Sequence, residues 1–338
     1  MTEKILLGHG SGGKMTHQLI QEVFLSHFDN DILSVQSDAA IFPHTSNNHL
    51  AMTTDSYVVN PISFPGGDIG KLAVCGTVND LAVSGARPLY LAASFIIEEG
   101  FPVADLITVV ESMSNEAQKA GVSIVAGDTK VVNRGMCDKL FITTTGFGDL
   151  TADRHHIASG RHIHPGDVIL INGPIADHGM AVLSAREGLD NNGAIQSDCT
   201  SLNHLIQTVL EAGINIRFMR DATRGGLATV MAEVARSATV GIELSEAAIP
   251  MQEPTRGLCE LLGYDPLFVA NEGKVVMIVD GHQKEPVLNI MQNHPDGRHT
   301  TIIGEVTHDH PGMVVLNTSI GGRRILDMLS GEQLPRIC

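Results

Sequence analysis

Tryptophan is absent from the 338 residues and aromatic residues make up only 4% of them, which excludes the stacking platforms that grip single-stranded bases. Positive charge is also scarce: 22 Lys and Arg stand against 38 Asp and Glu, for a net charge of −16. So acidic a chain lacks the basic face needed for nucleic-acid phosphates or an anionic membrane, and neither is expected as a partner. The five cysteines, Cys75, Cys137, Cys199, Cys259 and Cys338, are scattered and lack a C-x-x-C spacing, which disfavours a disulfide framework and a structural zinc site. No apolar run approaches membrane-spanning length, and no basic segment followed by an apolar stretch opens the chain. The expectation is a soluble, reduced, cytoplasmic protein. There is no G-x-S-x-G elbow, no G-x-G-x-x-G after a strand, and no H-E-x-x-H among the 16 histidines.

What is present suits two globular cores, with 43% hydrophobic and 18% charged residues. A glycine-rich loop and helix occupy residues 1–32. A first α/β block follows over 33–150, with strand-like runs at Leu50–Thr53, Leu89–Ile97, Ser123–Ala126 and Leu140–Thr145 and helical patterns at Ile69–Ser84 and Ala104–Ala120. Thr151–His164 reads as a linker. A second α/β block spans 165–317, with strands at Val168–Ile171, Ile214–Met219, Gly241–Leu244 and Lys274–Val279 and helices between them. Residues 318–338 read as a flexible tail.

Several sites carry chemistry. Gly8-His9-Gly10-Ser11-Gly12-Gly13-Lys14 precedes an amphipathic helical pattern, an arrangement that offers backbone N–H groups and a helix N-terminus to a phosphate. It departs from a true P-loop because Met15 stands where Ser or Thr should meet magnesium. On the Ile69–Ser84 helix, Asp80 falls on the same face as Ile69, Leu72, Ala73, Gly76 and Val83, and an inward carboxylate is costly unless a cation or donors meet it. Asp38, Asp55 and Asp128 sit near strand ends in the same block, so a magnesium–nucleotide site outweighs structural roles for the four carboxylates. In the second block Arg220-Asp221-Ala222-Thr223-Arg224-Gly225-Gly226 joins strand to helix, an anion-binding turn with Arg224 as charge partner, or else a tight turn capped by Asp221. Glu272, beside Gly273 at a strand entrance, suits a general base or a solvated loop.

The chain finishes Leu334-Pro335-Arg336-Ile337-Cys338. Pro335 biases the segment toward extended backbone, so Cys338 is expected on a mobile tail rather than in a core. There a thiol can be presented to an enzyme or swung into the protein's own active site.

Taken together, His9–Gly13, Thr54-Asp55-Ser56, Asn79-Asp80-Leu81-Ala82, Gly127-Asp128-Thr129-Lys130, Asp221–Gly226, Asn271–Lys274 and the Pro-Arg-Ile-Cys ending resemble the HypE family of hydrogenase maturation proteins, the carbamoyl dehydratases, over essentially the whole chain. The wider group is similar to aminoimidazole ribonucleotide synthetase. The resemblance implies an α/β (α+β), two-domain PurM-like fold with a β-rich N-terminal domain that binds ATP and dimerises. It also implies ATP and Mg2+, a carbamoyltransferase partner (HypF), and a HypC–HypD complex that receives cyanide for iron. By resemblance Cys338 carries the substrate, Glu272 is the base, and Lys130 is the cation for the transferring phosphate. Asp38, Asp55, Asp80 and Asp221 are implied magnesium ligands. Gly10, Gly12, Gly13, Lys14, Asn79, Asp128, Thr129 and Arg224 are implied nucleotide contacts. The nearest alternatives are selenophosphate-synthetase-like or thiamine-phosphate-kinase-like phosphotransferases; the glycine loop has Ser11 where the former would want Cys or selenocysteine.

Overall fold

The computed structural model describes residues 6–10, 13–25, 27, 31–32, 35–44, 48–189, 193–331, 333–334 and 336–338. Gly12 lies outside the described residues.

A short helix α1 (Lys14–Leu19) precedes strands β1 (Ala40–Pro43) and β2 (Asn48–Tyr57) and the small hairpin β3 (Ser63–Phe64) and β4 (Gly67–Asp68). Helix α2 (Ile69–Val83) begins where the Asp68 carboxylate accepts the N–H groups of Gly70 and Lys71, at 2.7 and 3.0 Å. Then come β5 (Arg87–Glu98), α3 (Val103–Ala120), β6 (Ser123–Val132) and β7 (Leu140–Thr151). The five strands β1, β2, β7, β5 and β6 form one sheet in that order, with only the β5–β6 pair parallel. The sheet alternates cleanly: Ala51, Thr53, Tyr57, Leu91, Ala93, Leu140 and Ile142 point at α2 and α3, while Thr54, Ser56, Tyr90 and Phe147 face outward.

Helix α2 is buried nearly all round, unlike the one-faced helix its spacing suggests, because it lies between the first sheet and the second domain. Its approach to α3 has no room for a side chain at Gly70, where a Cβ would sit 2.4 Å from the Val109 carbonyl oxygen and 2.8 Å from Met113. Gly70→Ala is therefore expected to cost roughly 1–3 kcal/mol of stability, checked by denaturant unfolding; an unchanged midpoint would contradict this packing.

The second domain contains β8 (Val168–Ile171), α4 (Asp177–Glu187), α5 (Asn203–Glu211), β9 (Ile216–Asp221), α6 (Gly226–Ala238), β10 (Gly241–Ser245), α7 (Glu253–Leu262), β11 (Val275–Val279), α8 (Lys284–Gln292), β12 (Thr301–Thr307), β13 (Val314–Asn317) and β14 (Arg323–Leu326). Its seven-stranded sheet runs β14-β13-β10-β12-β8-β11-β9, antiparallel except for β10–β13. β8 and β11 are buried on both faces and read as continuous apolar runs for that reason.

The chain does not leave the fold at the expected domain end, residue 317. β14 pairs with β13 from Arg323 to Leu326, so the chain beyond 317 first serves as a sheet edge. No helix among the described residues is long and apolar enough to cross a membrane.

Candidate active site

The last residues of the chain lie between the two domains. Val58 donates its N–H to the Cys338 carbonyl at 3.1 Å, and Asn60 donates to the Arg336 carbonyl at 3.2 Å. Arg336 donates from Nε to the Val58 carbonyl at 2.9 Å and from Nη1 to Asp138 at 2.6 Å. From α4, Arg186 donates to the Arg336 carbonyl at 2.7 Å and to the Asn60 carbonyl at 2.8 Å, and His178 Nε2 meets the Ile337 carbonyl at 2.8 Å. Ile337 and Cys338 join the apolar cluster of Tyr57, Val59 and Val182, and Cys338 is only 8% exposed.

In this structure the terminus is docked, although its sequence reads as a mobile tail: its polar groups find partners on residues 58–60 and α4. These bonds and the apolar burial offset the entropy of ordering the segment. Burial pushes the Cys338 thiol from its ordinary 9.0 up to about 12, against the opposing pull of Arg224. A docked thiol therefore keeps its proton where a released one begins to lose it. Docking holds at full strength below about pH 9 and weakens as pH rises toward 12. Iodoacetamide labelling at pH 8 is expected to be about tenfold or more slower for Cys338 than for a free peptide ending in the same residues; equal rates would mean an undocked terminus.

Glu272, between β9 and β11, is 3% exposed, and its Oε1 is buried with no hydrogen-bond partner among the described residues. Burial, then Asp221, Asp198 and Asp55, lift its carboxyl well above the usual range, opposed by Arg224. Its charge in turn acts to raise the Cys338 thiol. The backbone around it is fixed by Asp198, which accepts the N–H groups of Glu272 and Gly273 at 3.1 and 3.2 Å and pairs with the Lys274 ammonium at 2.9 Å. Burial pushes Asp198 up, but the Lys274 ammonium beside it outweighs this and helps hold the carboxyl below its ordinary value.

The aspartates converge beside this point. Asp80 accepts the Thr53 hydroxyl at 2.7 Å, and burial, then Asp221, Asp38 and Asp55, raise its carboxyl well above the usual range. Burial, then Asp38, pushes Asp221 up to about 8. Asp55 lies 3.9 Å from Arg224, whose charge is favoured first by Cys338 and then by Asp55 and Glu272. Asp38, Asp221 and Arg224 line a cavity of about 290 Å³ with Thr223 and Glu233.

Among the described residues no three His, Cys, Asp or Glu side chains are close enough to enclose a metal ion. Magnesium, however, usually takes one or two carboxylates plus water and substrate phosphates. Half-buried Asp80 and buried Asp221, which repel one another, suit such an ion. Asp38 suits it less, because Arg220 Nε already donates to it at 3.0 Å while Arg220 Nη1 holds Glu233 at 2.8 Å.

Other expected site residues stand elsewhere. The Asn79 amide donates to the Thr200 and Glu272 carbonyls and accepts from the Leu202 N–H at 2.7 Å, tying α2 to the second domain. Gly13 and Lys14 are engaged by the chain's own C-terminal segment. The Lys14 N–H donates to the Leu329 carbonyl at 3.0 Å, its ammonium pairs with Asp327 at 2.8 Å, and a Cβ on Gly13 would meet the Leu329 oxygen at 2.2 Å. Gly10 closes a short 3-10 turn, Leu7–Gly10, before them. Asp128, Thr129 and Lys130 lie on the edge strand β6, where the 68% exposed Lys130 binds Asp128 at 2.6 Å and the Thr129 N–H donates to the same carboxylate. Within one chain they are not gathered around Cys338.

The side chains that grip the terminus, those of His178, Arg186 and Asp138, carry no local sequence signal; each is an ordinary polar residue until the chain end is seated against it.

Residues 36–150 match the family model described as AIR synthase related protein, N-terminal domain, and 164–317 match its C-terminal domain. Carbamoyl dehydratase HypE of Cupriavidus necator is 50% identical over 335 residues, covering 99% of this chain and 95% of that protein. The crystal structure of hydrogenase maturation protein HypE in complex with ATP is 48% identical with a TM-score of 0.83, covering 99% of this chain and 100% of that one. A HypE–HypF complex structure gives 47% identity and a TM-score of 0.85 over 92% and 99%. With both domains matched and about half its residues shared along nearly its whole length, the chain belongs to the HypE family of carbamoyl dehydratases.

Proposed function

We propose that this enzyme uses ATP to dehydrate a carboxamide carried on its own Cys338 to a thiocyanate, the source of cyanide for the iron of nickel–iron hydrogenase. The observation that carries the reading is a buried terminal thiol near Glu272, whose buried carboxylate has an oxygen with no hydrogen-bond partner among the described residues. The carboxamide oxygen attacks the γ-phosphorus and ADP leaves, while one N–H proton is lost. The second N–H proton is then taken, the C–O bond breaks with release of phosphate, and S–C≡N remains. Glu272 is the acceptor for the N–H protons. Its raised proton affinity and the absence of a competing donor at Oε1 among the described residues suit that task. Arg224 supplies positive charge beside the reacting group.

Asp80 and Asp221, with Asp55, would hold the magnesium ion, which when bound neutralises charge on the phosphates. A solved relative holds ATP, in line with this reading. Tyr90, Ile96, Ile124, Val125 and Val131 leave apolar surface exposed on the first sheet. A second copy covering it makes the homodimer and brings Asp128, Thr129 and Lys130 from an isolated edge into a shared nucleotide site, with Lys130 on the transferring phosphoryl group. HypF-type carbamoyltransferase is the donor that loads the released terminus, and a HypC–HypD complex is the acceptor of the product.

The test is ATP turnover by the full chain with and without the carbamoyl group on Cys338. ADP release that depends on the loaded thiol is expected; equal turnover on the unloaded protein would instead indicate a small-molecule phosphotransferase.

A further inference from the structure

One histidine, fully buried, joins the chain terminus to the loop that holds Glu272. His178 Nε2 lies 2.8 Å from the Ile337 carbonyl, and its Nδ1 lies 2.8 Å from Ser197 Oγ. A carbonyl oxygen only accepts, so the proton sits on Nε2 and Nδ1 accepts from the serine hydroxyl. Ser197 Oγ accepts in turn from the Cys199 N–H at 3.1 Å. The chain of donors therefore runs from Cys199 N–H through Ser197 and His178 to the residue before Cys338. The intervening Asp198 accepts the N–H groups of Glu272 and Gly273.

The imidazole has little freedom: the Phe64 ring meets it edge-on with centroids 5.4 Å apart. The loop is held as well, with the Ser197 N–H donating to the Pro65 carbonyl at 2.8 Å. A Cβ at neighbouring Gly66, where φ is +91°, would come within 2.7 Å of the Ser197 nitrogen.

We propose that His178 is a positioning residue: its Nε2–H latches the Ile337 carbonyl, and the Ser197–Asp198 loop makes the docked Cys338 and Glu272 parts of one rigid unit. The inference rests on the proposed reaction for its purpose but not for its test. In His178→Ala the Ile337 carbonyl loses its donor, and the docked-to-released ratio is expected to fall about tenfold or more. Iodoacetamide labelling of the full chain, read by mass spectrometry without ATP or partner, reports this as a matching rise in the Cys338 rate. Buried Cys75 and Cys199 serve as controls for unfolding. His178→Gln, whose amide can donate to the same carbonyl, is expected to restore most of the protection.

On protein loaded with the carbamoyl group, single-turnover dehydration should slow by a similar factor while the KM for ATP is unchanged. An unchanged Cys338 labelling rate in His178→Ala would overturn the latch. If that variant lets Cys75 and Cys199 react, Ser197→Ala decides. Faster labelling confined to Cys338 supports the latch, and wild-type labelling refutes it. Should Cys338 prove never to carry a carboxamide, the labelling result still stands, so the latch and the proposed reaction fail separately.

Discussion

Replacing Cys338 with alanine is expected to reduce thiocyanate formation to background while leaving fold and ATP affinity intact. The side chain lost is small and sits at the end of the chain, where few other contacts depend on its sulfur. The backbone bonds that seat the terminus, from Val58, Asn60, Arg186 and His178, do not involve it. The loss is thus chemical rather than structural. A calorimetric ATP titration and a thermal melt separate the two. Weakened ATP binding in the variant would contradict the account, because it would make the thiol part of the nucleotide site instead of the carrier of the substrate.

The second large effect concerns Glu272. Glu272→Gln keeps the shape and removes the proton acceptor. It should bind ATP and accept the carbamoyl group, yet dehydrate it about 10²–10⁴-fold more slowly. The pH dependence has a definite sign. Because burial and nearby Asp221, Asp198 and Asp55 raise the Glu272 carboxyl, the group is protonated and idle on the acid side and becomes an acceptor only as pH climbs through its raised value. Single-turnover dehydration in the wild type is expected to rise with pH over that range. In Glu272→Gln the rising limb should disappear with the rate. A variant that retains both would remove Glu272 from the chemistry.

The neutral Gln is also better suited to a buried, unpaired position than a carboxylate. Equilibrium unfolding near neutral pH should therefore leave it at least as stable as the wild type.

How much of this was legible beforehand follows from the residues. Strand and helix positions in both domains could be read because buried strands such as Val168–Ile171 and Val275–Val279 are unbroken apolar runs, and α3 ends at a left-handed glycine, Gly121. The carboxylate of Asp80 stands out as a polar group on an apolar helix face, and it lies half-buried with Asp221, Asp38 and Asp55 acting on it. Asn79, one residue earlier, has the same local appearance but spends its amide on backbone groups of residues 200, 202 and 272. No spacing rule separates a buried polar group that waits for a ligand from one already satisfied by distant backbone.

The docking of the terminus escapes local sequence for a related reason. Its local signals, a proline and nearby glycine, are those of a free extended segment. Its partners Val58, Asn60, His178 and Arg186 lie more than a hundred residues away along the chain. The contacts of Lys14 with Asp327 and Leu329 likewise join residues far apart in the sequence. Lys130 sits on an edge strand, so its surroundings depend on what covers that edge.

The most direct test of the central claim is mass spectrometry of the C-terminal peptide in two stages. The full chain is first incubated with a HypF-type carbamoyltransferase and the carbamoyl donor, and ATP with magnesium is added to half the sample. The account predicts one carbamoyl group on Cys338 in both halves, and loss of the mass of one water only where ATP is present. A Cys338 left unmodified by a demonstrably active partner, or water lost equally without ATP, would contradict it.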